Sequence, residues 1–150
     1  MMQEQNIASI SKRVSSFIID DIVVGIFLAI ILYDPITALG MQISSLDAKS
    51  AKELINQFLI DSLPIVISIK VIYHSILVWL NGMTFGKYIL KIKVVDMQSG
   101  NKVSFAQALF RSVLRVVSEM PFYLGFALAF VTPKRQTFHD KLSNCVVVDV

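Results

Sequence analysis

Two apolar stretches in the sequence are each long enough to cross a lipid bilayer. They cover residues 14–33 and about residues 58–80, and a membrane-spanning helix needs about 20 apolar residues. The first stretch is too long for the core of a signal peptide, and no small-residue cleavage site follows it. We therefore predict two transmembrane helices, the first ending at Asp34-Pro35 and the second at Asn81-Gly82.

The composition indicates a chain that is partly covered by lipid. Hydrophobic residues make up 55% of the sequence and charged residues 17%, whereas soluble domains carry about 25% charged residues. The mean hydropathy is +0.66. We predict a single membrane domain over residues 1–150 that is not an enzyme and uses no cofactor.

The charges and the cysteine indicate which partners to expect. The net charge is +3 and the basic residues lie beside the apolar stretches, which suits anionic lipid headgroups better than nucleic acid. A lone cysteine, Cys145, excludes an internal disulfide and is interpreted as a packed apolar residue. The expected partners are the lipid bilayer, its anionic headgroups and further copies of the chain.

The residues after the second apolar stretch predict a small sheet. Residues 88–95 and 145–150 are rich in β-branched residues, as strands are. Residues 96–101 form a turn cluster, and residues 102–103 are predicted to complete a hairpin. A two-stranded hairpin is marginal on its own in water, so the C-terminal strand is predicted to join it.

An amphipathic helix is predicted to begin at Ser104. Ser104 and Gln107 fit a capping box, and the helix carries a thin polar stripe that includes Arg111 and Arg115. Residues 122–131, after a predicted break at Pro121, are apolar but too few to cross a bilayer.

The placement of lysine and arginine predicts both termini in the cytoplasm. Basic residues precede the first stretch, follow the second and recur in the tail, whereas residues 34–57 carry few of them. Residues 122–131 are therefore predicted to be broken or re-entrant. The predicted fold is mainly α and integral to the membrane. It has two transmembrane helices, a small cytoplasmic β-hairpin or sheet, an amphipathic helix and this third hydrophobic region.

Three sequence blocks carry a resemblance to a known family. They are residues 13–20 (RVSSFIID), residues 82–100 (beginning GMTFGK) and residues 133–148 (containing FHD). In this order and spacing, the chain resembles the RDD family of small bacterial membrane proteins, which is named for one arginine and two aspartates. Its three namesake positions match Arg13, Asp20 and Asp140, and Arg111 matches an arginine on the helix after the hairpin.

The resemblance also has departures and implications. Ser16 stands where the family usually has alanine, and Asn144-Cys145 stands where it has a glycine-threonine pair. The resemblance implies a multi-pass protein of the bacterial inner membrane, for whose family a transport role, including cation/proton exchange, has been suggested. It also implies a structural motif formed by Gly82, Thr84, Gly86, Lys87 and His139.

On physical grounds, Asp20 is the strongest candidate for a functional residue. An aspartate near the centre of a span costs roughly 2.5–3.5 kcal/mol on insertion scales. Arg13 lies on nearly the same helix face but about 10 Å away along the axis, so Asp20 needs a partner from elsewhere. We predict a polar cluster of Arg13, Asp20, Asp140 and Arg111. Two interpretations stay open, a proton or cation site and a buried structural ion pair.

Other polar residues of the spans form a candidate ion or proton path. Asp21 lies about 100° from Asp20 around the helix, and Lys70 and His74 share one face of the second span. A histidine can relay protons near neutral pH, although His74 can equally be a hydrogen-bonded core residue. The candidate path consists of Asp20, Asp21, Lys70 and His74.

The remaining motifs do not carry the residue patterns that enzymes use. His139-Asp140 has no third metal ligand or nucleophile in its sequence context, so we predict a structural latch in which Asp140 pairs with Arg111 or Arg13. Gly82 and Gly86 are predicted turn residues and Lys87 a headgroup-facing lysine. Two hypotheses remain, an ion or small-solute transporter that works as an oligomer and a non-transporting membrane scaffold or interaction module.

Overall fold

A computed structural model describes residues 6–119 and 124–150. Within these ranges the chain is mainly helical, with one small sheet. In chain order the elements are α1 (Ile10–Ile31), α2 (Tyr33–Ile43), α3 (Ala48–Asn81), α4 (Phe85–Ile89), β1 (Ile92–Asp96), α5 (Phe105–Glu119), α6 (Leu124–Val131), α7 (Phe138–Leu142) and β2 (Cys145–Asp149).

The first predicted span corresponds to α1, with different ends. The helix begins earlier, at Ile10, because the Ser9 side chain caps it by accepting a hydrogen bond from the Lys12 amide. Asp34-Pro35 was predicted to stop the helical chain, and this prediction was wrong because helix resumes at Tyr33. Both residues lie instead in the first turn of α2, where proline is tolerated and an aspartate favours the positive end of the helix dipole.

The second predicted span is part of a longer helix. Helix α3 has 34 residues and begins at Ala48, where the Asp47 carboxylate accepts hydrogen bonds from the amides of Lys49 and Ser50. Its first part, residues 48–57, precedes the predicted span. At about 51 Å, α3 is longer than a bilayer core of about 30 Å. It ends as predicted at Gly82, which adopts the left-handed conformation (φ 72°).

The sheet contains two antiparallel strands that are far apart in sequence. β1 pairs with β2, so that Val94 lies opposite Val147. The predicted C-terminal strand is confirmed, but the prediction of a strand from residue 88 was wrong because Tyr88 lies in α4. Residues 102–103 form no strand, so the predicted hairpin is wrong as well. β2 takes the place beside β1, and Val103 is buried in the core below.

The N-terminal residues lie against the same sheet. Ile7 forms an isolated bridge with Val148, and the Ala8 amide donates to the Val147 carbonyl at 3.0 Å. The core beneath the sheet includes Ala8, Val78, Ile92, Ala108 and the buried thiol of Cys145. Both described ends of the chain therefore lie at one end of the helices, which is called the sheet end below.

The helices bury polar residues and expose apolar ones. In α5, Phe110 is 51% exposed whereas Arg111 is 3% exposed. In α1, Ser16 and Asp20 are buried while Ile18 and Ile22 are exposed. Water-soluble proteins have the opposite arrangement, and large exposed apolar surfaces indicate contact with a membrane or a partner. Among the described residues, α1 and α3 are the helices long and apolar enough to cross a membrane.

The segment from the start of α5 to α7, which contains the third hydrophobic region, begins and ends at the sheet end. Near the start of α5, the Gln107 side chain donates to Asp96 of β1 at 2.6 Å, and α7 returns to contact α5 through Asp140 and Arg111. Helix α6 has eight residues, about 12 Å, which is too short to cross a bilayer. The predicted break at Pro121 lies outside the described residues, and the re-entrant membrane placement stays a prediction.

Candidate polar site between the helices

Asp140 is held by two arginines from different helices. The Arg111 Nε and Nη2 atoms donate to one carboxylate oxygen at 2.9 and 2.6 Å, and Arg13 donates to the other. The capping box of α7, which Asp140 forms with Thr137, fixes the carboxylate between them. This double ion pair joins α1, α5 and α7 at the sheet end.

The charges around Asp140 keep its carboxylate ionised. Burial alone would raise the pKa of the Asp140 carboxyl, but Arg111 and Arg13 outweigh burial and hold that pKa well below its usual range. The pKa of the neighbouring His139 imidazole is lowered well below its ordinary value, because burial disfavours the charged form. The His139 Nε2 atom lies 2.9 Å from the Thr137 hydroxyl. His139-Asp140 thus has the latch geometry that the sequence suggested.

Asp20 lies in a separate pocket of donors. Its buried carboxylate accepts hydrogen bonds from the Tyr73 hydroxyl at 2.9 Å, the Thr84 hydroxyl at 2.5 Å and the Gly86 amide at 2.8 Å. The Lys87 Nζ atom lies 3.6 Å from it. The four residues predicted as one polar cluster therefore divide, since Arg13 and Arg111 bind Asp140 and not Asp20.

The short helix α4 brings its lysine and its amide to Asp20. Lys87 is buried, so the prediction of a headgroup-facing lysine was wrong. Gly86 is not a turn residue either, because it lies in α4. Its lack of a side chain allows α4 to pack against α1, since a Cβ atom there would collide with the Ser16 carbonyl oxygen. Burial lowers the pKa of Lys87 to about 7. Asp20 opposes this shift, whereas Arg111 adds to it.

A second set of charges, the Lys70 cluster, consists of Asp21, Lys70, Arg115 and Glu119. The Lys70 Nζ atom lies 2.6 Å from a Glu119 carboxylate oxygen and 3.7 Å from an Asp21 oxygen. Arg115 is 3.3 Å from Glu119 and 4.0 Å from Asp21. The cluster has two cations and two carboxylates, so it is balanced in charge.

The four residues of the candidate ion or proton path do not all lie together in the structure. Asp21 and Lys70 meet in the Lys70 cluster, and the His74 Nδ1 atom lies 3.0 Å from Arg115. Asp20 belongs to the other pocket. Glu119 was not predicted as a site residue from the sequence, although its spacing of four residues from Arg115 was the signal that could have identified it.

A cavity of about 220 Å³ opens between α1, α5, α6 and α7. Four cationic side chains line it, those of Arg13, Lys87, Arg111 and Arg115. The other lining residues are apolar or small polar ones, together with His139. The Nη1 atom of Arg13 and the Nη2 atom of Arg115 are buried without a hydrogen-bond partner. In the part of the chain that the structure describes, no group of three or more His, Cys, Asp or Glu side chains is placed to hold a metal ion.

The amino-acid sequence matches a known family along almost the whole chain. Residues 7–144 match the RDD family. The chain belongs to the RDD family. The family assignment and the two apolar helices together indicate a membrane protein, and they confirm the resemblance found in the sequence.

Curated relatives of this RDD protein cover only part of it. The chain is 30% identical over 69 residues to a proline-rich antigen homolog of Mycobacterium tuberculosis, found in strains CDC 1551 / Oshkosh and ATCC 25618 / H37Rv. The similarity covers 46% of this chain and 29% of each relative, so the chain spans less than a third of their length. No solved structure matches the chain.

Proposed function

We propose that this RDD protein is a multi-pass protein of the bacterial inner membrane that exchanges a cation for a proton at the Lys70 cluster. The observation that carries this proposal is that Lys70 lies within ion-pair distance of two carboxylates, those of Asp21 and Glu119. Ionisable side chains inside membrane segments are rare and commonly mark ion or proton pathways.

The depth of the Lys70 cluster supports the proposal. Asp21 lies seven residues from residue 14, and Lys70 ten residues from residue 80, which are the ends of the two apolar stretches nearest the sheet. These positions are about 10 and 15 Å along their helices, inside a bilayer core of about 30 Å. An ion crossing the membrane beside these helices would meet the cluster within the apolar core.

The chemistry of the cluster suits an exchange step. Protonation of one carboxylate removes its attraction for Lys70 and leaves the lysine paired with the other carboxylate. A cation can then bind at a carboxylate from which both Lys70 and the proton have departed. Because two spanning helices cannot enclose a pathway, the transporting unit in this proposal is an oligomer, with both termini of each copy in the cytoplasm.

Ion flux into proteoliposomes tests the proposal. We expect wild-type protein to couple proton movement to a monovalent cation gradient, and Asp21→Asn and Lys70→Met to abolish this flux while the protein remains folded. Asp61→Asn and Lys52→Met are matched controls, because both residues lie on α3 outside the cluster. Undiminished flux in both cluster variants would exclude the Lys70 cluster as the transport site.

A specific observation favours the second candidate, a non-transporting membrane module. Asp20 and Asp140 are fully buried and bonded to fixed donors from neighbouring elements, which is the geometry of a structural support. If folded wild-type protein moves none of the alkali cations or protons at any imposed gradient, the transport proposal fails and this module is the better description.

A further inference from the structure

The cavity between α1, α5, α6 and α7 is lined by more positive charge than its surroundings neutralise. Four cations line it, and none of its described lining residues is acidic. Arg13 and Arg111 share the single carboxylate of Asp140, so this trio carries one uncompensated positive charge. Buried uncompensated charge is unfavourable unless a counter-charge is supplied.

Two guanidinium groups have capacity left for a further acceptor. The Arg13 Nη1 and Arg115 Nη2 atoms are buried and have no hydrogen-bond partner, although Arg115 Nη2 lies 4.0 Å from an Asp21 carboxylate oxygen, and both residues line the cavity. The Arg115 guanidinium also stacks 4.9 Å from the centre of the Phe17 ring, which holds its orientation. Arginine donors of this kind are suited to phosphate oxygens.

The walls of the cavity suit an amphiphile better than a free ion. Ile10, Val14, Phe17, Ala129 and Phe130 supply an apolar lining beside the cations. Val14 and Phe130 are also strongly exposed on the outer, apolar surface of the helices. A molecule with its phosphate among the cations can therefore leave its apolar part along these two residues and in the lipid.

We propose that this cavity binds the phosphate group of an anionic phospholipid, with the glycerol and acyl chains passing between Val14 and Phe130 into the bilayer. The site lies at the sheet end of α1, where Arg13 directly precedes the apolar stretch that begins at residue 14. It is distinct from the exchange site proposed above, although Arg115 contacts both. The lipid would supply the counter-charge for Arg13 and Arg111.

Native mass spectrometry of the detergent-purified protein tests the proposal, with phosphatidylglycerol and the zwitterionic phosphatidylcholine as probes. We expect phosphatidylglycerol to be retained preferentially. Ala129→Phe, which fills the cavity without removing a charge, should weaken its binding about tenfold or more. Val131→Phe is the matched control, because Val131 lies on the same helix α6, is 77% exposed and does not line the cavity.

A second variant, Arg13→Lys, tests the site without filling the cavity. Arg13→Lys retains a positive charge for Asp140 but lacks the unpaired Nη1 donor, so it should lower phosphatidylglycerol binding by about tenfold, the effect of losing one charged hydrogen bond. Thermal stability of each variant without lipid shows whether it remains folded. If folded Ala129→Phe and Arg13→Lys both bind phosphatidylglycerol like wild type, the cavity is not the lipid site.

Competition with inorganic phosphate shows whether the bound phosphate group belongs to a lipid or to a soluble phosphate ion. The proposal predicts that millimolar phosphate competes only weakly with phosphatidylglycerol, because it gains nothing from the apolar wall. If phosphate alone stabilises the protein as much as the lipid does, and Arg13→Lys abolishes this effect, the occupant is a soluble phosphate and the lipid assignment is wrong. Equal retention of both lipids, with no effect of phosphate, overturns the anion site altogether.

Discussion

Removing the Asp140 carboxylate should destabilise the protein more than most single substitutions. Asp140→Ala leaves the buried guanidinium groups of Arg111 and Arg13 without their counter-charge. Breaking a buried ion pair from one side costs about 3–5 kcal/mol, a large part of a typical unfolding free energy of about 5–15 kcal/mol. Arg111→Met should cost less, because Asp140 keeps its bond to Arg13.

A double-mutant cycle isolates this interaction. The free energy of unfolding is measured in mixed detergent micelles for both single variants and for the double variant. We expect the double variant to be less destabilised than the sum, with a coupling of about 1–3 kcal/mol, because the double variant no longer contains the Arg111 guanidinium that Asp140→Ala alone leaves unpaired.

The matched control cycle uses Asp20→Ala with Arg111→Met. Asp20 takes its donors from α3 and α4, and no hydrogen bond or ion pair within the described ranges joins it to Arg111. Its effects should therefore add to within about 0.5 kcal/mol. A stronger coupling of Arg111 to Asp20 than to Asp140 would refute the division into two pockets and restore the single cluster that the sequence suggested.

Three further predictions follow from packing, titration and topology. Gly86→Ala should lower the free energy of unfolding by about 1–3 kcal/mol, because it forces α4 away from the α1 backbone. The control Gly25→Ala has open space at its Cβ position and should melt at the same temperature as wild type. Equal melting temperatures for the two variants would contradict this packing. Because the pKa of Lys87 falls to about 7 in the folded state, the unfolded chain binds more protons between pH 7 and the ordinary lysine pKa. Stability should therefore rise from pH 7 to 9 by up to about 1.4 kcal/mol per pH unit, and Lys87→Met should flatten this slope. In a Cys-free background, a membrane-impermeant thiol reagent added to intact cells should label Ser45→Cys but not Lys141→Cys; labelling of both would contradict the re-entrant third region.

The sequence predicted the membrane helices well because their signal is long and one-dimensional. Runs of apolar residues identified α1 and the later part of α3 without knowledge of any contact. Their ends were less accurate, because Ser9 and Asp47 cap the helices outside the apolar runs. Capping depends on a single side chain, which hydropathy over a long window does not detect.

The candidate site was harder to predict because its partners come from elements that propensity describes poorly. Residues 88–95 are β-branched enough to predict a strand, yet tertiary packing of Gly86 on α1 makes Phe85–Ile89 helical. That short helix determines the position of Lys87, and so the partner of Asp20 could not be identified from spacing. The pairing of Asp140 with Arg111 or Arg13 was suggested by charge alone, and the structure brings all three residues together.

Because the first described residues pair with the last strand, some contacts of the N-terminal segment can form only after almost the whole chain has been synthesised. Arg13 and Asp140 are 127 positions apart, and β2 is needed to hold Ile7 and Ala8 at the sheet. During synthesis, α1 and α3 can therefore enter the membrane long before Arg13 meets its carboxylate. Contacts between distant residues form slowly, so a chain that stops before α7 leaves Arg13 without its carboxylate, and a chain that stops before β2 leaves Ile7 and Ala8 without their strand.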